Sequence, residues 1–202
     1  AGALNDKAFL NETSGRSRNI TSQFSINYDN IFAQYHHVAA LALYESIDYS
    51  SDWLYGGRRD FMTPAIDQLF MGTIQTSNTN GSASEMGRKS VVARLNYDYK
   101  GKYLLESTFR ADASAKFPAD KRWGYFPGLT IGWRISEEGF IKDNLSSIDN
   151  LKIRAGYGES GNDGVGNFQY LEGYRAGNAV MIGGSQVSGM VSTGLANPNL
   201  TW

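Results

Sequence analysis

The stretch Trp123-Gly-Tyr-Phe-Pro-Gly-Leu-Thr-Ile-Gly-Trp-Arg-Ile135 places an aromatic, aliphatic or proline side chain at every odd position, with mostly glycine, threonine and arginine between. Successive side chains of a strand leave opposite faces, so a period of two reads as a β-strand with one apolar face. The same parity holds on either side of it. Odd positions are Val91, Ala93, Leu95 and Tyr97 in 90–98; Tyr103, Leu105, Ser107, Phe109 and Ala111 in 103–112; and Leu151, Ile153, Ala155 and Tyr157 in 151–158. Every charged residue of these segments is even: Arg94, Asp98, Glu106, Arg110, Asp112, Arg134, Lys152 and Arg154. Four strands are therefore expected, each with an apolar face and a polar, partly charged one.

Residues 18–28 alternate more weakly, with Phe24, Ile26 and Tyr28 opposed by Gln23, Ser25, Asn27 and Asp29. Residues 32–48 are apolar at both parities and read as a sixth strand of unassigned faces. A short helical turn is expected at 136–141, where Ser136 precedes two acids as an N-cap. The expected connections alternate in kind. Tight turns fall near Asp29-Asn30 and at Lys100-Gly101, and the compact link 136–150 shares their end. A long loop at 49–87, a medium one at 113–122 and the Gly/Asn-rich tract from Glu159 onward share the other. An up-and-down sheet with turns at one end and large loops at the other has the asymmetry of an outer-membrane barrel. The expected fold is all-β: an antiparallel up-and-down transmembrane β-barrel segment of about six strands with long extracellular loops, incomplete on its own. Trp123 and Trp133 share a parity ten residues apart, which is ~33 Å along a strand and ~25 Å in height at a ~40° tilt. That matches an apolar band between two aromatic girdles. Tyr97, Tyr103, Trp123, Tyr125, Trp133 and Tyr157 are the expected lipid-facing girdle residues. Pro127 lacks a ladder donor and requires a bulge or a locally unpaired edge.

Composition narrows the function. The 202 residues carry a formal net charge of −1, which offers no basic excess for a nucleic acid. No cysteine is present, so disulfides and thiolate metal sites are excluded. No aliphatic run approaches the ~18 residues of a membrane-spanning helix, while a mean hydropathy of −0.39 is compatible with a membrane barrel. Glycine at 23 residues and tyrosine at 12 suit curved sheets with long loops. The chain begins with Ala1 and closes on Ala196-Asn-Pro-Asn199 and Trp202, which reads as a piece of a longer protein.

No catalytic constellation emerges. His36 and His37 point to opposite faces of a strand and cannot share a metal in regular geometry. The glycines from Gly156 to Gly166 lack the phosphate-loop pattern and read as a flexible extracellular loop. Asp163 with Asn162 and Asn167 offers calcium-type oxygens at a spacing that matches no EF-hand. Neither a metal, a cofactor nor an enzymatic role is expected. The charged even face is the functional-looking feature, with both signs available to pair between strands. Candidates for solute contact are Arg94, Glu106, Arg110, Arg134 and Arg154 in the lumen, and Trp53 and Tyr55 in the long loop, where Phe61 and Phe70 also lie.

Several blocks in order carry a family likeness: Arg94-Leu-Asn-Tyr-Asp-Tyr-Lys-Gly-Lys-Tyr-Leu-Leu105, Phe109-Arg-Ala-Asp-Ala-Ser-Ala-Lys-Phe117, Arg122 through Glu138, Leu151-Lys-Ile-Arg-Ala-Gly-Tyr-Gly158, and Gly161-Asn162 through Gly166-Asn-Phe-Gln-Tyr170. From Arg94 to Tyr174 the chain resembles the barrel of the SusC/RagA-like TonB-dependent outer-membrane transporters of Bacteroidetes. The resemblance implies import of a bulky nutrient, an oligosaccharide or a peptide, across the outer membrane of a Gram-negative bacterium. It implies a SusD-like surface lipoprotein as lid, the TonB complex as energy source through a plug region, and outer-membrane lipid around the wall. Residues 1–202 would then be part of the receptor's β-barrel domain, with the plug domain and the remaining strands outside this sequence. Two other readings stand beside it. A soluble carbohydrate-binding β-sandwich would hide Trp123, Leu129, Ile131 and Trp133 from solvent, and a structural barrel or adhesin would lack a plug.

Overall fold

The computed structural model describes residues 8–63, 65–143 and 149–202. The strands are β1 (Phe9–Phe32), β2 (His36–Arg59), β3 (Asn78–Tyr99), β4 (Tyr103–Ser114), β5 (Trp123–Arg134), β6 (Lys152–Gly158), β7 (Tyr174–Ile182) and β8 (Ser185–Ser192). The first six form one antiparallel sheet in strict sequence order, and β7 and β8 form a separate hairpin. Among the described residues no helix is long and apolar enough to cross a membrane, which says nothing of crossing by strands.

Register carries the parity from strand to strand. Val91 lies opposite Ala111, Ala111 opposite Tyr125, and Leu129 opposite Tyr157, so the odd positions of β3–β6 share one face. That face stays open: Trp123 is 45% exposed, Leu129 50%, Ile131 55% and Trp133 39%. A β-sandwich would cover these side chains with a second sheet, so the sandwich reading is overturned. Side-chain pairs assign the faces of β2 that its sequence left open. His36 bonds Tyr97 (Nδ1 to Oη, 2.7 Å), which puts even β2 positions with the odd, apolar face of β3. His37 meets Asp29 at 3.1 Å, and Gln23 meets Glu45, on the polar face. The two histidines do take opposite faces.

Several boundaries differ from the sequence-based expectation. The first turn lies at 33–35 rather than Asp29-Asn30, and the 49–87 loop shrinks to 60–77 because 49–59 and 78–87 continue as strand. Polar residues such as Asn78-Thr-Asn-Gly81 extend a ladder because its bonds are made by the backbone, whatever the side chains. The Gly/Asn-rich tract holds the β7–β8 hairpin, turned at Gly183 (φ 59°) and Gly184 (φ 80°), a pair suited to a two-residue hairpin turn. The helical turn is Gly139–Lys142, α1, entered through Glu138, while Ser136 sits in a preceding 3₁₀ turn and makes no cap bond. Part of the expected link, 144–148, lies outside the described residues. Pro127 needs no bulge. It pairs in register with Phe109, and its missing donor falls where the β5–β6 ladder ends: beyond Gly128 opposite Gly158, only the Glu159 amide bonds the Pro127 carbonyl (3.0 Å).

The chain divides into two units, 8–20 with 48–86, and 21–47 with 87–202. In the first, Arg58 ties the loop to β2: its Nε donates to Ser77 Oγ (2.9 Å) and its Nη1 to the Gly72 carbonyl (3.3 Å). In the second, the tight-turn end is stitched by the Lys100 amide to the Tyr35 carbonyl (2.8 Å) and the Arg134 amide to the Lys102 carbonyl (2.8 Å).

Candidate functional site

On the polar face of β4–β6, threonines lean over glycines of the neighbouring strand. Thr108 lies opposite Gly128 and Thr130 opposite Gly156. A Cβ at Gly128 would come within 2.5 Å of Thr108 Oγ1, and one at Gly156 within 2.9 Å of Thr130 Oγ1. Glycine here lets each threonine lie flat across its neighbour strand.

The charged residues expected to pair across this face do not do so. Register sets Arg94 opposite Thr108, Glu106 opposite Asn96 and Thr130, and Arg154 opposite Gly132. Arg134 faces Lys152, a like-charged pair. Arg110 finds its acid on its own strand, with Nε on Asp112 Oδ2 (2.6 Å) and Nη2 on Ser90 Oγ (3.3 Å). The reason is spacing: in β4 the residues two apart share a face, and register brings no acid opposite Arg110.

At the loop end of this face, two segments are pinned to the strands. Asp163 accepts from Arg88 (2.5 Å) and Ser114 Oγ (3.1 Å), and Lys116 Nζ donates to its carbonyl oxygen (2.9 Å). Burial alone raises the Asp163 pKa, but Arg88, Ser114 and Lys116 outweigh it and hold the carboxyl below its usual value. Asp163 is thus an anchor, and Asn162 Oδ1 caps the Gly164 amide (2.8 Å) instead of facing a shared ion. Among the described residues, no three metal-ligating side chains converge. Trp202 is the second pin. Its indole sits 5.3 Å from the fully buried Phe117 ring and 5.4 Å from Phe126, and Nε1 donates to the Arg122 carbonyl (2.6 Å). Gly124 and Gly161 make its slot, since a Cβ at either would approach the indole to 2.7 and 2.9 Å.

At the turn end, Glu138 gathers Lys102 Nζ (2.9 Å), Tyr103 Oη (2.8 Å) and Trp133 Nε1 (3.2 Å). These donors lower its pKa to about 2. Lys142 likewise holds Glu137 below the usual range. On the apolar face nearby, His36 lies 4.9 Å from the Tyr99 ring, and Lys100 Nζ stands 4.8 Å over Tyr35.

Trp53 and Tyr55, expected in a loop, lie on β2 in the first unit. Tyr55 Oη donates to Asn11 Oδ1 (2.8 Å) and lines a cleft of about 500 Å³ with Phe9, Asn11, Gly57, Arg59 and Thr76. Trp53 does not line it.

Comparison with known proteins places this architecture. No protein-family model matches the chain. It is 31% identical over 92% of its length to the TonB-dependent receptor P3 of Formosa agariphila, and 43% identical over 44% of its length to the TonB-dependent receptor SusC of Bacteroides thetaiotaomicron. This chain belongs to the SusC/RagA-like TonB-dependent receptors. It spans 19% of the first relative's length and 9% of the second's. The solved structure of the RagAB peptide transporter superposes on 95% of the chain with a TM-score of 0.82 at 20% identity, the chain covering 21% of that protein. The RagAB importer in its open-open state gives 0.81 over 97%. These likenesses establish the fold as a segment of a transporter barrel wall.

Within this receptor segment, sequence reasoning missed Arg59, Asp163 as an anchor, Trp202 as a pin and Glu138 as a hub. Arg59 was signalled by Gly56-Gly57-Arg58-Arg59, where two glycines open space beside two cations. Trp202 had no local signal, because its slot comes from 117, 124, 126 and 161.

Proposed function

We propose that this chain supplies part of the β-barrel domain of an outer-membrane importer that takes up a bulky nutrient, an oligosaccharide or a peptide, by TonB-dependent transport. The observation that carries this reading is the exposed apolar face of β3–β6, bounded by Trp123 and Trp133 and backed by a polar, glycine-lined face. The odd face, with Tyr97, Tyr103, Tyr125 and Tyr157, is solvated by lipid, and the even face, with Arg94, Glu106, Arg110, Arg134 and Arg154, borders the lumen. Membrane strands alternate in this way. A SusD-like surface lipoprotein covers the loop end, and the TonB complex acts through a plug region elsewhere in the receptor. The named relatives are receptors and transporters, which supports a transport role rather than catalysis.

The test is growth of cells with and without the receptor gene on a panel of oligosaccharides and peptides as sole carbon source, with and without TonB. Loss of growth on one class in both mutants is expected. Unchanged growth on every member of a panel that the wild type uses would sink the reading.

A further inference from the structure

Building on that transport reading, we infer that the cleft between β1, β2 and the end of the 60–77 loop binds an acidic oligosaccharide, with Arg59 as the residue that selects its negative charge. The cleft is about 500 Å³, within the range of small-ligand sites. Among the described residues its wall holds two arginines, two asparagines, a threonine, a tyrosine, a phenylalanine and a glycine, and no carboxylate.

The hydrogen-bonding capacity left over decides the ligand. Tyr55 spends its proton on Asn11 Oδ1, which leaves the Asn11 amide hydrogens to point elsewhere. Thr76 Oγ1 accepts from the Arg59 amide (2.9 Å) and lies 2.7 Å from the Thr73 carbonyl, so its single proton is used locally. Arg58 turns its Nε to Ser77 Oγ and its Nη1 to the Phe70 and Gly72 carbonyls, which ties its guanidinium to the loop. Arg59 is exposed and makes no ion pair among the described residues, so its guanidinium keeps its donors. The described wall of the cleft is therefore rich in donors and poor in anions. A guanidinium fork matches a carboxylate or sulfate bidentately, side-chain amides match sugar hydroxyls, and the exposed Phe9 ring offers an apolar platform for a pyranose face. An acidic peptide shares the charge but not the hydroxyls that the two asparagine amides would serve. Gly57 keeps the floor open: a Cβ there would sit 2.6 Å from Tyr55 Oη and 2.7 Å from Asn11 Oδ1.

The test is calorimetric titration of the full-length receptor in detergent with three probes: hexagalacturonate, maltohexaose and hexaglutamate. Hexagalacturonate is expected to bind at least about tenfold more tightly than the other two, and to weaken with added salt. Arg59→Gln is expected to weaken it by about tenfold or more, with Arg59→Lys in between. Heat-modifiable electrophoretic mobility shows that each variant is folded. Equal affinity for charged and neutral sugar, tighter binding of hexaglutamate, or a folded Arg59→Gln protein with unchanged affinity would overturn the assignment. The growth panel keeps the two readings apart. Receptor-dependent growth on neutral sugars or peptides alone leaves import standing and removes the acidic ligand. Arg59-dependent binding without any receptor-dependent growth does the reverse.

Discussion

Glu138 shows how one side chain fixes a turn. It stands at the entrance to α1, yet its carboxylate reaches to Lys102, Tyr103 and Trp133 rather than capping its own helix. These donors stabilise the charged form, so its pKa drops from an ordinary 4.5 to about 2. A depressed acid stabilises the fold fully above its unfolded pKa, and that contribution is lost as the pH falls toward the folded value. Between pH 4.5 and about 2 the amides of 135–143 are therefore expected to lose protection progressively, exchanging faster relative to the intrinsic rate at each pH. In Glu138→Gln they should already exchange fast at neutral pH and lose this acid-dependent step. Hydrogen exchange read by mass spectrometry checks both, and a glutamine variant with the wild-type acid profile would refute the role of the charge.

Among the elements, β5 gives the sharpest contrast between faces. Leu129 lies between the two tryptophans on the open apolar face, and Thr130 lies next to it on the polar one over Gly156. Arginine on a lipid face near the bilayer midplane costs about 2–4 kcal/mol. Leu129→Arg is thus expected to lower the unfolding free energy of the receptor in lipid by about that amount, while Thr130→Arg costs less than half as much. Urea titration in vesicles measures the difference, and equal costs would mean that the faces are misassigned. This parity was legible in sequence because one face of β3–β6 is almost purely apolar. The outer parts of β1–β3 were not, since residues such as Ser82, Ala83 and Ser84 are small or polar at both parities and only ladder bonds extend the strand. The β7–β8 hairpin had a readable signal in Gly183-Gly184 that the surrounding glycines obscured. Register sets the even-position arginines of β3–β6 on one face, as parity implies, but their partners could not be read, because register and not sequence spacing decides which side chains meet. The Arg59 cleft draws on residues as distant as Phe9 and Thr76, beyond the reach of any local pattern.

At the scale of the molecule, strand order equals chain order throughout the six-stranded sheet. Connections at the stitched end are as short as 33–35 and 100–102. Closing so short a loop costs little chain entropy, so such hairpins are the natural place for pairing to begin. Gly101, at φ 68°, should be sensitive in this respect. Gly101→Val forces a β-branched side chain into the left-handed region and costs about 1–2 kcal/mol. That loss is expected mainly in the folding rate, whereas an equal destabilisation from Trp202→Ala should appear mainly as faster unfolding. Stopped-flow kinetics in detergent separates the two, and a Gly101 variant that changes only the unfolding rate would contradict early pairing at that turn. Sequential pairing also bears on biogenesis. A sheet that lengthens one neighbour at a time never presents more than two open borders, however many strands have already joined. A chaperone guarding the growing wall would have to shelter a frontier of constant size, and the burden of protection would not rise as the wall widens.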